Sequence, residues 1–261
     1  MNASGWRPTR RRFLASTAGL ALAPALGGVG GLGGLGARAA ESGMITRPIP
    51  ATGERIPAVG MGTWITFNVG ADEELRRHRQ RILETFFARG GGMIDSSPMY
   101  GSAQDVVGWC LARLQDTDGL ISATKVWTPY GDSARDQMAE ARELWGVETF
   151  DVMQVHNLVS WQEHLETLQQ AKEEGRIRYI GVTTSHGSRH AELERIMREA
   201  PIDFVQLTYN VVDRWAEDRL LPLAQERGLG VIVNRPFKRK QLFRMFQDKP
   251  LPGWIGEFDA E

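Results

Sequence analysis

Four residues of this sequence could together place a proton on an oxygen: Asp95, Tyr100, Lys125 and His156. Reducing a carbonyl builds negative charge on its oxygen, so a proton donor must stand within about 3 Å of that atom. A phenol with an ordinary pKa of about 10 donates poorly at neutral pH. A nearby ammonium would favour the phenolate and lower that value, and a carboxylate would hold the ammonium in place. A neutral imidazole could orient the carbonyl and donate a hydrogen bond to the developing oxyanion. On this reading Tyr100 is the general acid, Lys125 its tuning cation, Asp95 the partner of the lysine, and His156 the group that orients the carbonyl. Plainer roles compete with these: a simple Asp95–Lys125 ion pair across neighbouring strands, and a core histidine satisfied by Asn157 or a carbonyl.

These groups need elements that bring them together. Met93 and Ile94 follow a glycine run and read as the end of a short buried strand that releases Asp95 and, five residues on, Tyr100. Residues 120–124 (LISAT) lead into Lys125, and residues 150–155 (FDVMQV) lead into His156. The intervals are 30 and 31 residues, the length of one strand-helix repeat. In a parallel barrel the carboxyl ends of all strands face one mouth, so residues one repeat apart become neighbours there.

The remaining pattern is consistent with such repeats. Residues 58–64 read as the first barrel strand, and short apolar runs over 178–182, 204–207 and 230–233 suit strands buried on both faces. Leu75, Ile82, Leu83, Phe86 and Phe87 recur at helical period, as do Val106, Val107, Cys110, Leu111 and Leu114, and each set predicts a buried helix face. Ser133 with Asp136 and Ser160 with Glu163 have the capping-box spacing. Alternation of this kind predicts an α/β fold, and chemistry gathered at one mouth favours a closed barrel over a doubly wound sheet. The proline-rich residues 44–57 suit a short hairpin or lid over one barrel end. Expected strand ends fall near Thr63, Asp95, Lys125, His156, Thr184, Tyr209 and Arg235, and an eighth is expected close to or past residue 261.

The D-x4-Y-G pattern (Asp95, Tyr100, Gly101), a lysine closing the next strand and a histidine closing the one after resemble the catalytic tetrad of the aldo-keto reductases. The likeness runs over residues 49–237 and implies a (β/α)8 TIM barrel, here truncated after the seventh strand, with NADP(H) as cofactor and an aldehyde or ketone as substrate. It implies cofactor contacts at Gly62, Thr63 and Trp64, which match the family's G-T-W, with the tryptophan walling the substrate pocket. Thr183 and Thr184 stand where the family has the polar pair of G-V-S-N, and Gln206 matches a glutamine that meets the same nicotinamide amide. Departures follow the seventh strand, where Asn234 replaces a stacking aromatic and Arg235 could meet the pyrophosphate. Gln104 stands where a glutamate is common. Trp64, Trp127 and Tyr130 suggest an apolar, aromatic-walled pocket. A non-catalytic barrel, and an isomerase or lyase that uses the phenol and lysine without nicotinamide, remain open.

The chain begins with an address. Thr9, three arginines, Phe13 and Leu14 look like a twin-arginine export signal, followed by an Ala/Leu/Gly run and an A-x-A site ending at Ala39. Residues 1–39 then form a cleaved signal peptide, residues 40–261 the barrel domain, and the destination is the periplasm, with the export machinery as a partner. The leader holds five arginines and no acid, so the 31 basic residues fall to 26 against 32 acidic ones, a formal charge of −6. That balance suggests neither nucleic acid nor lasting attachment to an anionic membrane. Gly28, Gly30 and Gly33 match G-x-G-x-x-G with no strand before them, a chance match. Cys110 reads as core, His78 and His164 as helix-surface residues, and His186 with His190 lack further ligands, so no metal is expected.

Overall fold

The computed structural model describes residues 44–250 and 252–257; the leader, its cleavage site and the glycine match lie outside them. Seven parallel strands form one sheet in sequence order: β3 (Met61–Gly62), β4 (Met93–Asp95), β5 (Ile121–Val126), β6 (Phe150–Val155), β7 (Ile177–Thr183), β8 (Phe204–Thr208) and β9 (Gly230–Asn234). Helices α1 (Glu73–Ala88), α2 (Ala103–Leu111), α3 (Ser133–Trp145), α4 (Trp161–Glu173), α5 (His190–Glu199) and α6 (Leu220–Arg227) make the crossovers, and α7 (Gln241–Phe246) follows the last strand. Among the described residues β3 and β9 do not pair, so the curled sheet is an incomplete (β/α)8 barrel, open at one seam.

Strand register decides what faces inward. Asp95 pairs with Ala123, Ala123 with Val152, Lys125 with Gln154, Gln154 with Gly181, Thr183 with Gln206, and Thr208 with Asn234. Side chains alternate faces with period two, so one inward face carries apolar residues low in the barrel and polar ones high. The apolar layer is Met93, Ile121, Ala123, Val152, Tyr179 and Phe204. Outward residues such as Ile94, Val126, Met153, Ile180, Val182 and Val205 pack under the helices in the larger core.

The expected hairpin is present as β1 (Thr46–Pro48) and β2 (Arg55–Pro57), antiparallel. Its turn inserts Ile49, 2% exposed, into the low apolar layer. The Tyr179 hydroxyl lies 3.0 Å from Thr52 Oγ1 and donates to Glu54 at 2.7 Å, while Arg178 bridges Glu54 and Asp151. The hairpin thus closes the barrel floor, the end away from the predicted chemistry.

Several local expectations fail for identifiable reasons. Neither capping box forms: Ser133 is already helical behind Asp132, and the Ser160 hydroxyl donates to the Pro129 carbonyl at 3.1 Å. Leu75 and Ile82 are 41% and 38% exposed, because no described element covers that flank of α1, leaving Leu83 as its buried anchor. The Val106–Cys110 face of α2 is buried as expected. Burial pushes the Cys110 thiol up to about 11, which suits an inert core residue. His164 is 0% exposed, not a surface residue, and its Nε2 meets the Thr128 carbonyl at 2.8 Å. It shares a helix face with Leu168 and Ala171 at i, i+4 and i+7, a signal the sequence carried.

Candidate active site

All four predicted acid-base residues stand at the carboxyl ends of β4, β5 and β6. Asp95 ends β4. The chain then turns through a short 3-10 segment, Pro98–Tyr100, which the Ser97 hydroxyl opens by accepting from the Met99 N–H at 3.2 Å. Gly101 follows with φ +61°, and a Cβ there would lie 2.5 Å from Asn68 Oδ1. The glycine after the tyrosine is therefore fixed by both backbone conformation and space.

Lys125 is inside β5, not after it, and its side chain is fully buried. Its Nζ donates to both Asp95 oxygens and to the Ser96 carbonyl, each at 2.7 Å. Three donors meet three acceptors, so the ammonium is fully committed. Burial pulls its pKa below the ordinary lysine value, against the opposing pull of Asp95. Gln154, not singled out from sequence, also donates to Asp95 Oδ1 at 3.1 Å. Its neighbour Gly181 leaves the room it needs, since a Cβ there would lie 3.0 Å from Gln154 Cγ. Inward parity on β6 was the signal for Gln154.

Tyr100 is half-buried, with Lys125 Nζ 5.4 Å from its ring centroid and the His156 ring edge-on at 5.6 Å. No described group hydrogen-bonds its hydroxyl. Its pKa is raised, first by burial and then by Asp95, with Arg235 opposing. This departs from the expected depression by Lys125: the ammonium lies over the ring and is bonded to Asp95. A phenol so placed keeps its proton across the physiological range, and a developing alkoxide is basic enough to take it.

His156 is 4% exposed, with Nδ1 2.7 Å from Ser97 Oγ. Burial, and then the charge of Lys125, push its pKa down to about 3, so the ring is neutral at working pH. Linkage gives this a measurable sign. Below the ordinary value of about 6.5 the unfolded chain protonates this ring, whereas the folded chain does so only near 3. Stability contributed by the neutral ring is therefore lost as pH falls from about 6.5, reaching a deficit of about 2 kcal/mol at pH 5. Urea unfolding at pH 7 and pH 5 should show that loss in the native chain and a smaller one in His156→Gln; equal losses would contradict the buried neutral ring.

The expected cofactor positions divide into two sets. The Thr63 hydroxyl is turned into the frame, 3.0 Å from the Asp95 carbonyl and 2.8 Å from Ser96 Oγ, so it is not free for a ligand. Gly62 is open above, since a Cβ there would meet nothing within 4 Å. Thr183 and Gln206 pair across β7 and β8 and are buried, and Thr184 Oγ1 is buried with no hydrogen-bond partner. Asn234 ties the rim together, donating to the Thr184 carbonyl at 2.8 Å and accepting from Thr208 at 2.6 Å. Arg235 has φ +53° and is weakened as an acid-base cation by burial and by Arg239. Trp64, Trp127 and Tyr130 are 39%, 42% and 71% exposed, so they flank an open mouth and do not enclose a pocket; the Arg239 guanidinium lies 4.4 Å over Trp64.

A parallel α/β barrel sheet with acid, ammonium, phenol and imidazole at one rim defines a class of barrel proteins equipped for acid-base work on an oxygen. Residues 58–253 match the Aldo/keto reductase family. The chain belongs to that family of oxidoreductases. It is 24% identical over 241 residues to the NADH-specific methylglyoxal reductase of Escherichia coli (strain K12), covering 79% of this chain and 71% of that protein. The L-glyceraldehyde 3-phosphate reductase of the same strain is 26% identical over 204 residues, covering 71% of this chain and 59% of the other. Among solved structures, an aldo-keto reductase from Bacillus halodurans in its holo form superposes with a TM-score of 0.66 at 24% identity, over 80% of this chain and 71% of that one. One from Klebsiella pneumoniae in complex with NADP and acetate gives 0.65 at 23% identity, over 80% and 74%. Against these two curated relatives the chain thus spans between 59% and 71% of their length.

Proposed function

We propose that this chain reduces an aldehyde or ketone, with Tyr100 as general acid, His156 orienting the carbonyl, and the Asp95–Lys125 pair holding the charge balance beneath them. The observation that carries the reading is the Tyr100 hydroxyl, which has no described protein partner beside a neutral imidazole and above a fully bonded ammonium. A nicotinamide cofactor would supply the hydride. The residues fit such a group: Gly62 leaves open space at the rim, and the orphaned Thr184 Oγ1, with Thr183 and Gln206 beside it, offers hydrogen bonds to an amide. NADP(H) is the cofactor favoured by the Klebsiella complex, while the name of the first Escherichia coli relative points to NADH.

The protein's own part in the reaction is to aim the carbonyl oxygen at Tyr100 Oη and His156 and then pass the phenolic proton to it. Half-exposed aromatics at the mouth suit a small carbonyl compound held by its oxygen. Titrating NADPH and NADH into the full chain while following tryptophan emission tests the cofactor, with Trp64 and Trp127 as reporters. Saturable quenching, then loss of NADPH absorbance on adding aldehydes, is the expected result. A folded chain that binds neither nucleotide would favour a second reading, a non-catalytic barrel, for which the specific observation is Asn234, hydrogen-bonded to Thr184 and Thr208 at the position of the expected stacking aromatic. Turnover with no added nucleotide would favour an isomerase or lyase instead.

We also read residues 1–39 as a twin-arginine leader that delivers the 40–261 domain to the periplasm. Its support is the arginine run, the Ala/Leu/Gly stretch and the A-x-A site. No helix among the described residues is long and apolar enough to cross a membrane. Cell fractionation tests this reading, and recovery with cytosolic markers alone would sink it.

A further inference from the structure

We infer that Ser97 is a positioning residue that fixes the tautomer of His156, holding the imidazole proton on Nε2. The inference deepens the carbonyl-reductase reading and rests on it for its catalytic consequence, though its structural content stands separately.

In this dry site the donors and acceptors can be counted. Ser97 is 0% exposed. Its Oγ already accepts from the Met99 N–H at 3.2 Å, and its other contact is His156 Nδ1 at 2.7 Å. A hydroxyl has one proton to give, and Nδ1 is the one described acceptor within reach. Two arrangements are possible. If Nδ1 carried the proton, Ser97 Oγ would accept twice and its own proton would be buried without an acceptor, which is costly. If Ser97 donates to a bare Nδ1, every group is satisfied and the imidazole proton lies on Nε2. The neutral state of the ring leaves one proton to place, so the serine decides where it sits.

The consequence falls on the opposite edge of the ring. Nε2 has no described protein partner, and the ring stands edge-on to Tyr100 at 5.6 Å between centroids. An Nε2–H there is a donor for the same oxygen that Tyr100 protonates. With the proton on Nδ1, the ring would present a lone pair to that oxygen and repel it. Ser97 is positioned for the task by the same turn that positions Tyr100, since it caps the 3-10 segment Pro98–Tyr100. One side chain therefore sets both the path of the tyrosine and the polarity of the histidine. Ser96 serves a different partner, with Oγ 2.8 Å from Thr63 Oγ1.

The test reads the tautomer directly. Nitrogen-15 imidazole spectra of the full chain, with His156 assigned by the signal missing from His156→Gln, should show a protonated Nε2 and a bare Nδ1. Ser97→Ala should bring Nδ1–H into the spectrum, and Ser97→Thr, which keeps the hydroxyl, should restore the native pattern. A native ring protonated on Nδ1, or a Ser97→Ala spectrum identical to the native one, overturns the inference. In turnover, Ser97→Ala should lose on the order of 10- to 100-fold in kcat, the loss a misaimed group brings, with NADPH affinity unchanged and Ser97→Thr recovering most of it. If the native chain shows the Nε2–H tautomer but reduces no carbonyl, the reductase reading fails while the tautomer assignment survives. If it reduces carbonyls and Ser97→Ala does so equally well, the positioning role fails alone.

Discussion

Tyr100→Phe should lower kcat by about 1,000-fold, within the 10²–10⁴ range that a positioned proton donor contributes. The ring is retained, so its packing against His156 and over Lys125 is kept, and only the hydroxyl is lost. Nucleotide affinity should stay within about twofold, because uniform binding does not involve the missing proton. Single-turnover oxidation of bound NADPH in the presence of an aldehyde is the measurement. A small loss would mean that another group supplies the proton. A variant as active as the native chain would remove Tyr100 from the mechanism altogether.

Lys125→Met should cost about 3–5 kcal/mol of folding stability, the usual penalty for leaving one partner of a buried ion pair uncompensated. The lysine side chain is 0% exposed and that of Asp95 15%, so solvent cannot replace the three 2.7 Å contacts that the ammonium makes. Gln154 alone would remain to satisfy the carboxylate. For a domain of this size the loss corresponds to a fall in Tm on the order of 10 °C. Asp95→Asn combined with Lys125→Met should recover most of it, because no bare charge then stays buried. Calorimetry of the native chain and the two variants decides the matter: a double variant no more stable than Lys125→Met would show that shape and not charge is what the site has lost. Lys125→Met tests the frame and Tyr100→Phe the chemistry, so the two variants separate folding from catalysis.

The acid-base residues were legible because Asp95, Lys125 and His156 sit one strand-helix repeat apart, with Tyr100 on the same strand exit as Asp95, and the repeat is written in local hydrophobic periodicity. Period-two alternation would also have shown Gln154, which shares inward parity with Val152 on β6, and helical spacing would have shown that His164 shares a face with Leu168 and Ala171. Both signals were present in the sequence and outranked by residue type, since glutamine is mostly exposed in proteins and histidine only intermediate in burial. The capping boxes failed for the opposite reason. Serine and acid stood at the right spacing, but the Ser160 hydroxyl found the Pro129 carbonyl, a partner 31 residues away that no local pattern contains.

By itself, then, the sequence determined the alternating elements, their order and the rim on which Asp95, Tyr100, Lys125 and His156 meet. These follow from short-range periodicity and from the topology that parallel repeats impose. Only the tertiary structure decided where each polar hydrogen points. It turned the Thr63 hydroxyl into the frame, bound the Lys125 ammonium to Asp95 and Ser96 instead of leaving it to the phenol, and brought Ser97 against His156 across 59 residues. Hydrogen bonds have short reach and strict direction, so partners distant in sequence are chosen by the packed geometry and not by spacing.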